Sequence, residues 1–305
     1  RVRAEKNMLE LNNITKNFGE IRAVDSVSLK GIEGEMLGLV GPNGSGKSTL
    51  IKIMLGIARP TSGKVLLDNS EMTDSRWKEL RKRIGYMPER VSFYDNLTGR
   101  ETLELFTRVK GGGRQDVAGT LTRVGLGDAI DRKVGGYSKG MRQRLNFAQA
   151  LSNDPDLLIL DEPTSGLDPV GTKEFYSILE SVRARKKLTV ILSSHILAEI
   201  EEKIDRVAVI KAGVLRAIGT LEDLYSGFNL PIKISISVKD DGGLLKDLLI
   251  REGADDVVYR DGHIIASVRI ENKLRILSVV MERKDSFIDL SVREPRLEEV
   301  FFGIH

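Results

Sequence analysis

Gly41-Pro42-Asn43-Gly44-Ser45-Gly46-Lys47-Ser48, followed by Thr49, has the spacing G-x-x-x-x-G-K-[ST] of a loop that cradles phosphate. Glycines let successive backbone N–H groups converge on phosphate oxygens, and the helix that follows points its positive end at the same anion. In such a loop Lys47 reaches the β- and γ-phosphates of a nucleotide and the Ser48 hydroxyl ligates Mg²⁺. A bare glycine turn ahead of a helix is the competing explanation. The apolar strand before the loop and the helix after it favour the phosphate site.

A second chemical element is Asp161-Glu162, directly after Leu157-Leu158-Ile159-Leu160. An aspartate at the carboxyl end of a buried strand is placed to hold a metal ion beside phosphates. Glu162 can accept a proton from an attacking water or orient it. An isolated acidic pair after a strand is more often a solvated turn or a helix cap. Paired with the phosphate loop upstream, the catalytic reading is the better one.

These residues need rigid elements behind them. Leu37-Gly38-Leu39-Val40 runs into the glycine loop, and Ser48 to Leu55 reads as an amphipathic helix. Leu157 to Leu160 and Thr189-Val190-Ile191-Leu192 are continuous apolar runs, as strands buried on both faces of a parallel sheet are. Helical patterns around 139–151 and 170–185 precede them, which predicts an α/β domain with a mainly parallel sheet. Residues 8–12, 24–30 and 63–67 alternate and predict an antiparallel β layer beside it. The domain is expected over 8–225, followed by a linker at 226–231. Beyond it, strand 232–238, helix 242–252, strand 255–260, strand 263–269, helix 271–284 and strand 286–292 give the order of a ferredoxin-like domain over 232–305. Leu297 to Phe302 could add a closing amphipathic helix.

Bulk properties bound the function. The 305 residues carry 47 Lys and Arg against 44 Asp and Glu, a formal charge of only +3, which gives no push toward nucleic acid. There is no cysteine, so neither a disulfide framework nor a thiolate metal site is available. No apolar run approaches the roughly 18 residues of a membrane span. Work at a membrane would therefore require docking on a partner that spans it.

Further motifs occur in a telling order. Tyr137-Ser138-Lys139-Gly140-Met141-Arg142-Gln143-Arg144 resembles the signature segment of ABC transporter ATP-binding subunits, Ser165-Gly166-Leu167-Asp168 is similar to their D-loop, and His195 after Leu192-Ser193-Ser194 matches their switch histidine. The resemblance covers residues 8 to about 225 and implies a P-loop ATPase domain with a helical signature subdomain. It implies ATP and Mg²⁺ as ligands, with Asp161 and Ser48 on the metal and Glu162, Lys47 and His195 at the reaction. It further implies that two copies, or a copy and a paralogue, sandwich two ATP molecules. Each would lie between one subunit's Gly41–Thr49 and Ser138 with Gly140 of the other. The remaining implied partner is an integral membrane permease, which places the chain on the cytoplasmic face of the cell membrane.

Four positions depart from the commonest family pattern. Phe18 stands where an aromatic ring, often tyrosine, stacks on adenine; packing within a β-hairpin explains it as well. Glu89 replaces the usual Q-loop glutamine, keeping a potential metal ligand but adding negative charge near phosphates. Tyr137 and Met141 replace the usual Leu and Gln, without removing the Ser138 hydroxyl or the Gly140 backbone approach.

Residues 88–103 and 137–145 are more narrowly similar to ATPase subunits of transporters that assist copper-site maturation of nitrous oxide reductase. The ending Glu294 to Phe301 is similar to that of ATPases working with ABC-2-type export permeases. The second domain has no chemical motif, and it is expected to be a dimerisation or regulatory module. Two other classes compete with a transporter subunit. Soluble ABC ATPases acting on ribosomes or DNA usually carry two motif sets or a long coiled coil, and this chain has neither. A non-catalytic binder would be expected to lack some of Lys47, Ser48, Asp161, Glu162 and His195, and all five are present.

Overall fold

The computed structural model describes residues 7–111, 116–228, 230–239, 242–296 and 298–299. The long strands β1 (Asn7–Phe18) and β2 (Ile21–Ile32) form a hairpin, and β3 (Met36–Val40) then runs through the glycine loop into helix α1 (Lys47–Met54). Next come β4 (Ser62–Leu67), β5 (Ser70–Glu71), α2 (Asp74–Arg83) and β6 (Ile84–Met87). A helical insert follows, made of α3 (Gly99–Val109), α4 (Val117–Arg123) and α5 (Lys139–Ala150). The chain then alternates β7 (Leu157–Asp161), α6 (Pro169–Arg183), β8 (Thr189–Ser194), α7 (Leu197–Ile200), β9 (Arg206–Lys211) and β10 (Val214–Gly219).

These elements make two sheets. One has the order β2-β1-β4-β5 and is antiparallel, as the alternating segments predict. Its strands are longer than the alternation suggests, because register shifts between Leu11 and Asn17 interrupt the period of two. The other has the order β10-β9-β3-β8-β7-β6, parallel from β9 to β6 with β10 antiparallel at the edge. Strands β3, β7 and β8 are buried at every position, which is why their sequences read as unbroken apolar runs. A core of Leu9, Leu11 and Val27 from the antiparallel sheet with Leu37, Leu39, Ile159 and Ile191 from the parallel one packs around Leu50 and Ile53 of helix α1. It holds the carboxyl ends of β3, β7 and β8 side by side.

The chain divides into two compact units at Gly219 and Thr220. The second starts with α8 (Leu221–Gly227), which Thr220 and Asp223 close with a reciprocal capping box. The domain end expected at 225 falls inside this helix, which the cap starts at Leu221 and which runs through Ser226 to Gly227. Strands β11 (Ile232–Val238), β12 (Asp255–Arg260), β13 (His263–Val268) and β14 (Phe287–Arg293) with helices α9 (Gly243–Arg251) and α10 (Lys273–Met281) complete the unit. The sheet order β12-β13-β11-β14, antiparallel throughout, is the ferredoxin-like arrangement. Its core is Ile232, Ile234, Ile236, Ile264 and Val268 against Leu245, Leu249, Ile276 and Val280. Glu298 and Glu299 are helical; the rest of the predicted 297–302 helix lies outside the described residues.

Candidate functional site

The loop between β3 and α1 is shaped by two close approaches. A Cβ on Gly41 would lie 2.1 Å from the Ile210 carbonyl oxygen, and one on Gly46 would lie 2.6 Å from that of Ala23. Gly46 also has a φ of 107° and forms the N-cap of α1 with no side-chain cap. The first N–H groups of the helix are therefore left for an anion. Ser45 Oγ is buried in the same loop without a hydrogen-bond partner. Pro42, Asn43, Gly44 and Ser48 are exposed, and Thr49 is half-buried.

Lys47 is almost enclosed and curls back on its own loop, its Nζ donating to the Gly41 carbonyl at 2.7 Å and to that of Pro42 at 3.2 Å. Burial lowers its pKa, while Glu162 and Asp161 oppose that shift. Those carbonyls stand in for the acceptors an anionic ligand would supply.

Asp161 ends β7 at 8% exposure. Its Oδ1 accepts from Ser193 Oγ at 2.7 Å. Burial raises its pKa; the Ser193 hydrogen bond lowers it, and the charges of Glu162 and Glu89 raise it further. Glu162 follows with a left-handed φ of 47°, a strained value for a residue with a side chain. The Ser193 hydroxyl supports that turn by accepting from Glu162 N at 3.0 Å. The Glu162 carboxylate sits 3.9 Å from Lys47 Nζ and 2.7 Å from His195 Nδ1, and His195 N donates to it at 3.3 Å. Lys47, Asp161, Glu162 and His195 thus converge at the strand ends.

The remaining candidates lie further out. Glu89, just past β6, is exposed and has Arg90 at 3.6 Å. Phe18 is 53% exposed, with Lys16 Nζ 5.0 Å from its ring centre. That much exposure leaves its ring available for stacking. Ser138 caps α5, its Oγ accepting from Met141 N at 3.2 Å, and a Cβ on Gly140 would meet nothing within 4 Å. Among the described residues no hydrogen bond joins Ser138 or Gly140 to the phosphate loop. Nor do three or more His, Asp or Glu side chains gather into a metal cage among them. The fitting donors are the hard oxygens of Ser48 and Asp161, which suit Mg²⁺ shared with substrate phosphates rather than a cation held by protein alone.

Residues 24–165 match the family model described as ABC transporter. The chain is 32% identical over 299 residues to the bacitracin transport ATP-binding protein BcrA of Bacillus licheniformis, with 96% of each covered. It is 38% identical to the lantibiotic transport ATP-binding protein SrtF of Streptococcus pyogenes over 72% of this chain and 92% of that one. An ATP-binding cassette solved as a dimer in a post-hydrolysis state with ADP and Pi superposes with a TM-score of 0.63 at 29% identity, covering 70% of this chain and 99% of the other. This chain belongs to the ABC transporter ATP-binding proteins. It is an ABC ATPase.

Within this ABC ATPase the structure adds residues that the sequence reading passed over. Ser193 holds both acidic residues of the site. Fully buried Asn146 on α5 donates to the Pro88 carbonyl at 2.9 Å, and Gln149 donates to that of Tyr86 at 2.6 Å. Gln143 donates to the Pro163 carbonyl, just beyond Glu162. One helix therefore grips the backbone before Glu89 and the backbone after Glu162. The available sequence signal was three amides on α5, at positions where an exposed helix face would carry charges.

Proposed function

We propose that this ABC ATPase powers a separate membrane permease through ATP-driven closure of a pair of ATPase modules. One observation carries the reading. Lys47, Asp161, Glu162 and His195 form one cluster, while Ser138 and Gly140 present an uncovered helix start elsewhere in the same chain. A second copy is what brings such a helix start, with its positive end, to a nucleotide on the loop. The dimeric relative with ADP and Pi supports that assembly.

In this reading Gly41 to Thr49 hold the phosphates, Lys47 exchanges its carbonyl partners for phosphate oxygens, and Phe18 stacks on the base. Mg²⁺, when bound, would supply charge neutralisation, and Ser48 and Asp161 would hold it, with Glu89 as a further candidate oxygen ligand. Glu162 takes the proton of the attacking water, and His195 orients its carboxylate. No helix among the described residues is long and apolar enough to cross a membrane; the similarity to transport ATP-binding proteins is what supports a membrane-spanning partner and a peripheral place on the cytoplasmic face. The bacitracin and lantibiotic transport relatives support a transport system, and the sequence of the ending, Glu294 to Phe301, favours export. A second reading, maturation of the nitrous oxide reductase copper site, is favoured by residues 88–103 and 137–145.

The test is Glu162→Gln. Phosphate release should fall about 10²–10³-fold with ATP affinity kept, and ATP should drive the variant into a stable dimer seen by sedimentation. Turnover near the parent level would remove Glu162 from this role.

A further inference from the structure

The second unit packs α9 and α10 on one face of its sheet; the residues of the other face stay exposed or half-buried, with Tyr225 and Ser226 of α8 lining a pocket beside Asp255 and Ser267 at one corner. Strand register arranges that open face in three rows across β12, β13, β11 and β14. The first row is Arg260, His263, Ser237 and Asp289; the second is Val258, Ile265, Ser235 and Ser291; the third is Asp255, Ser267, Lys233 and Arg293. The burial patterns agree, since Ile232, Ile234, Ile236, Ile264, Ala266 and Val268 alternate with these positions and are buried.

Two properties of the array stand out. Its corner charges alternate around the rim: Arg260 positive, Asp289 negative, Arg293 with Lys233 positive, Asp255 negative. Its middle row is uncharged, with the bulky Val258 and Ile265 on one half, 53% and 40% exposed, and two serines on the other. Rotation by 180° about an axis parallel to the strands, between β13 and β11, lays one such face on another. Arg260 then faces Asp289, Asp255 faces Arg293, Ile265 faces Ser235 and Val258 faces Ser291. Every corner meets its opposite charge, and every bulky side chain meets a small one. A two-fold axis across the strands also matches the charges, but it stacks Ile265 on Ile265 and leaves serines facing serines.

We propose that this open sheet face is a self-association surface that takes a second copy of the same chain about the strand-parallel two-fold. The inference deepens the dimer reading above and rests on the partner being another copy. The face is small. Four strands at ~4.8 Å and three rows at ~7 Å span about 400 Å² per copy, or about 800 Å² in total. Stable interfaces bury roughly 1,200 Å² or more, so the contact is weak alone and gains from a second contact in the same dimer, which raises its effective concentration. Asp255, Arg293 and Arg260 also have partners of their own, Arg269 at 3.7 Å, Glu299 at 3.2 Å and Asp261 at 3.5 Å, but all three stay more than half exposed.

Charge reversal in the full chain tests this, with sedimentation equilibrium at high micromolar protein without nucleotide. Arg260→Glu and Asp289→Arg should each weaken self-association about tenfold, since each reversal spoils two symmetric pairs. Combined in one chain they should restore it. Within one chain the two residues lie three strand spacings apart, roughly 14 Å, so restoration must come from the other copy. Arg260→Glu with Asp255→Arg should not restore it. A monomeric parent chain, unaffected single variants or an unrestored Arg260→Glu/Asp289→Arg pair would each overturn the proposal. ATP-driven association of the same variants, measured separately, shows whether the ATPase dimer itself still forms.

Discussion

Asp161 brings a charge into a nearly dry strand end, and Ser193 makes that tolerable. Because burial raises the Asp161 pKa in the folded chain, the native state binds its proton more tightly than the unfolded state does. That contribution to stability is present at low pH and is lost as pH rises through the folded pKa. Asp161→Asn should therefore melt several degrees above the parent near pH ~7 without metal or nucleotide, the gap closing toward pH ~4. Thermal unfolding across that range checks it. Ser193→Ala leaves Asp161 Oδ1 and Glu162 N without their partner, at a cost of about 1–3 kcal/mol. It should lower turnover more than ATP affinity, which steady-state kinetics beside a nucleotide-binding measurement would show. The phosphate loop and acidic pair were legible because their residue types and spacing are the chemistry. Ser193 was not, since a serine at a strand end signals nothing until the neighbouring strand is known.

Helix α5 illustrates the same limit at the scale of an element. Its period marks residues 139–151 as a helix, and the structure has one at Lys139–Ala150. Period alone assigns Asn146 and Gln149 to a polar face, whereas both are buried against the backbone before Glu89. Asn146→Ala should destabilise the fold by about 1–3 kcal/mol, because it removes the donor to the Pro88 carbonyl, which lies on a half-buried residue. Amide exchange at 86–90 should rise with it, measured by mass spectrometry. Unchanged exchange there would mean that α5 does not anchor this segment. The hairpin β1–β2 shows the converse: bulges broke its alternation, so the sequence reading found only parts of each strand.

At the scale of the molecule, a site split between two chains should complement in trans. Lys47→Ala and Ser138→Arg should each abolish turnover alone. Mixed, they can form one intact pairing of Lys47 from one chain with Ser138 from the other, and part of the activity should return. A mixture as inactive as its components would contradict the composite site. The parent's specific activity should also rise with protein concentration, because dilution separates the halves.

Local order along the chain determined a good deal by itself. It specified a glycine loop between a strand and a helix, an acidic pair at a strand end, parallel strands recognisable by unbroken apolar runs, and the βαββαβ order of the second unit. These are patterns over a few residues, set by backbone geometry and periodic burial. Tertiary structure alone decided which strands became neighbours. The order β9-β3-β8-β7-β6 brings Lys47, Glu162 and His195 together, and the register of β12, β13, β11 and β14 sorts scattered charges into an alternating rim. Neither can be read from spacing, because contact between distant segments depends on how sheets pair and which faces they bury.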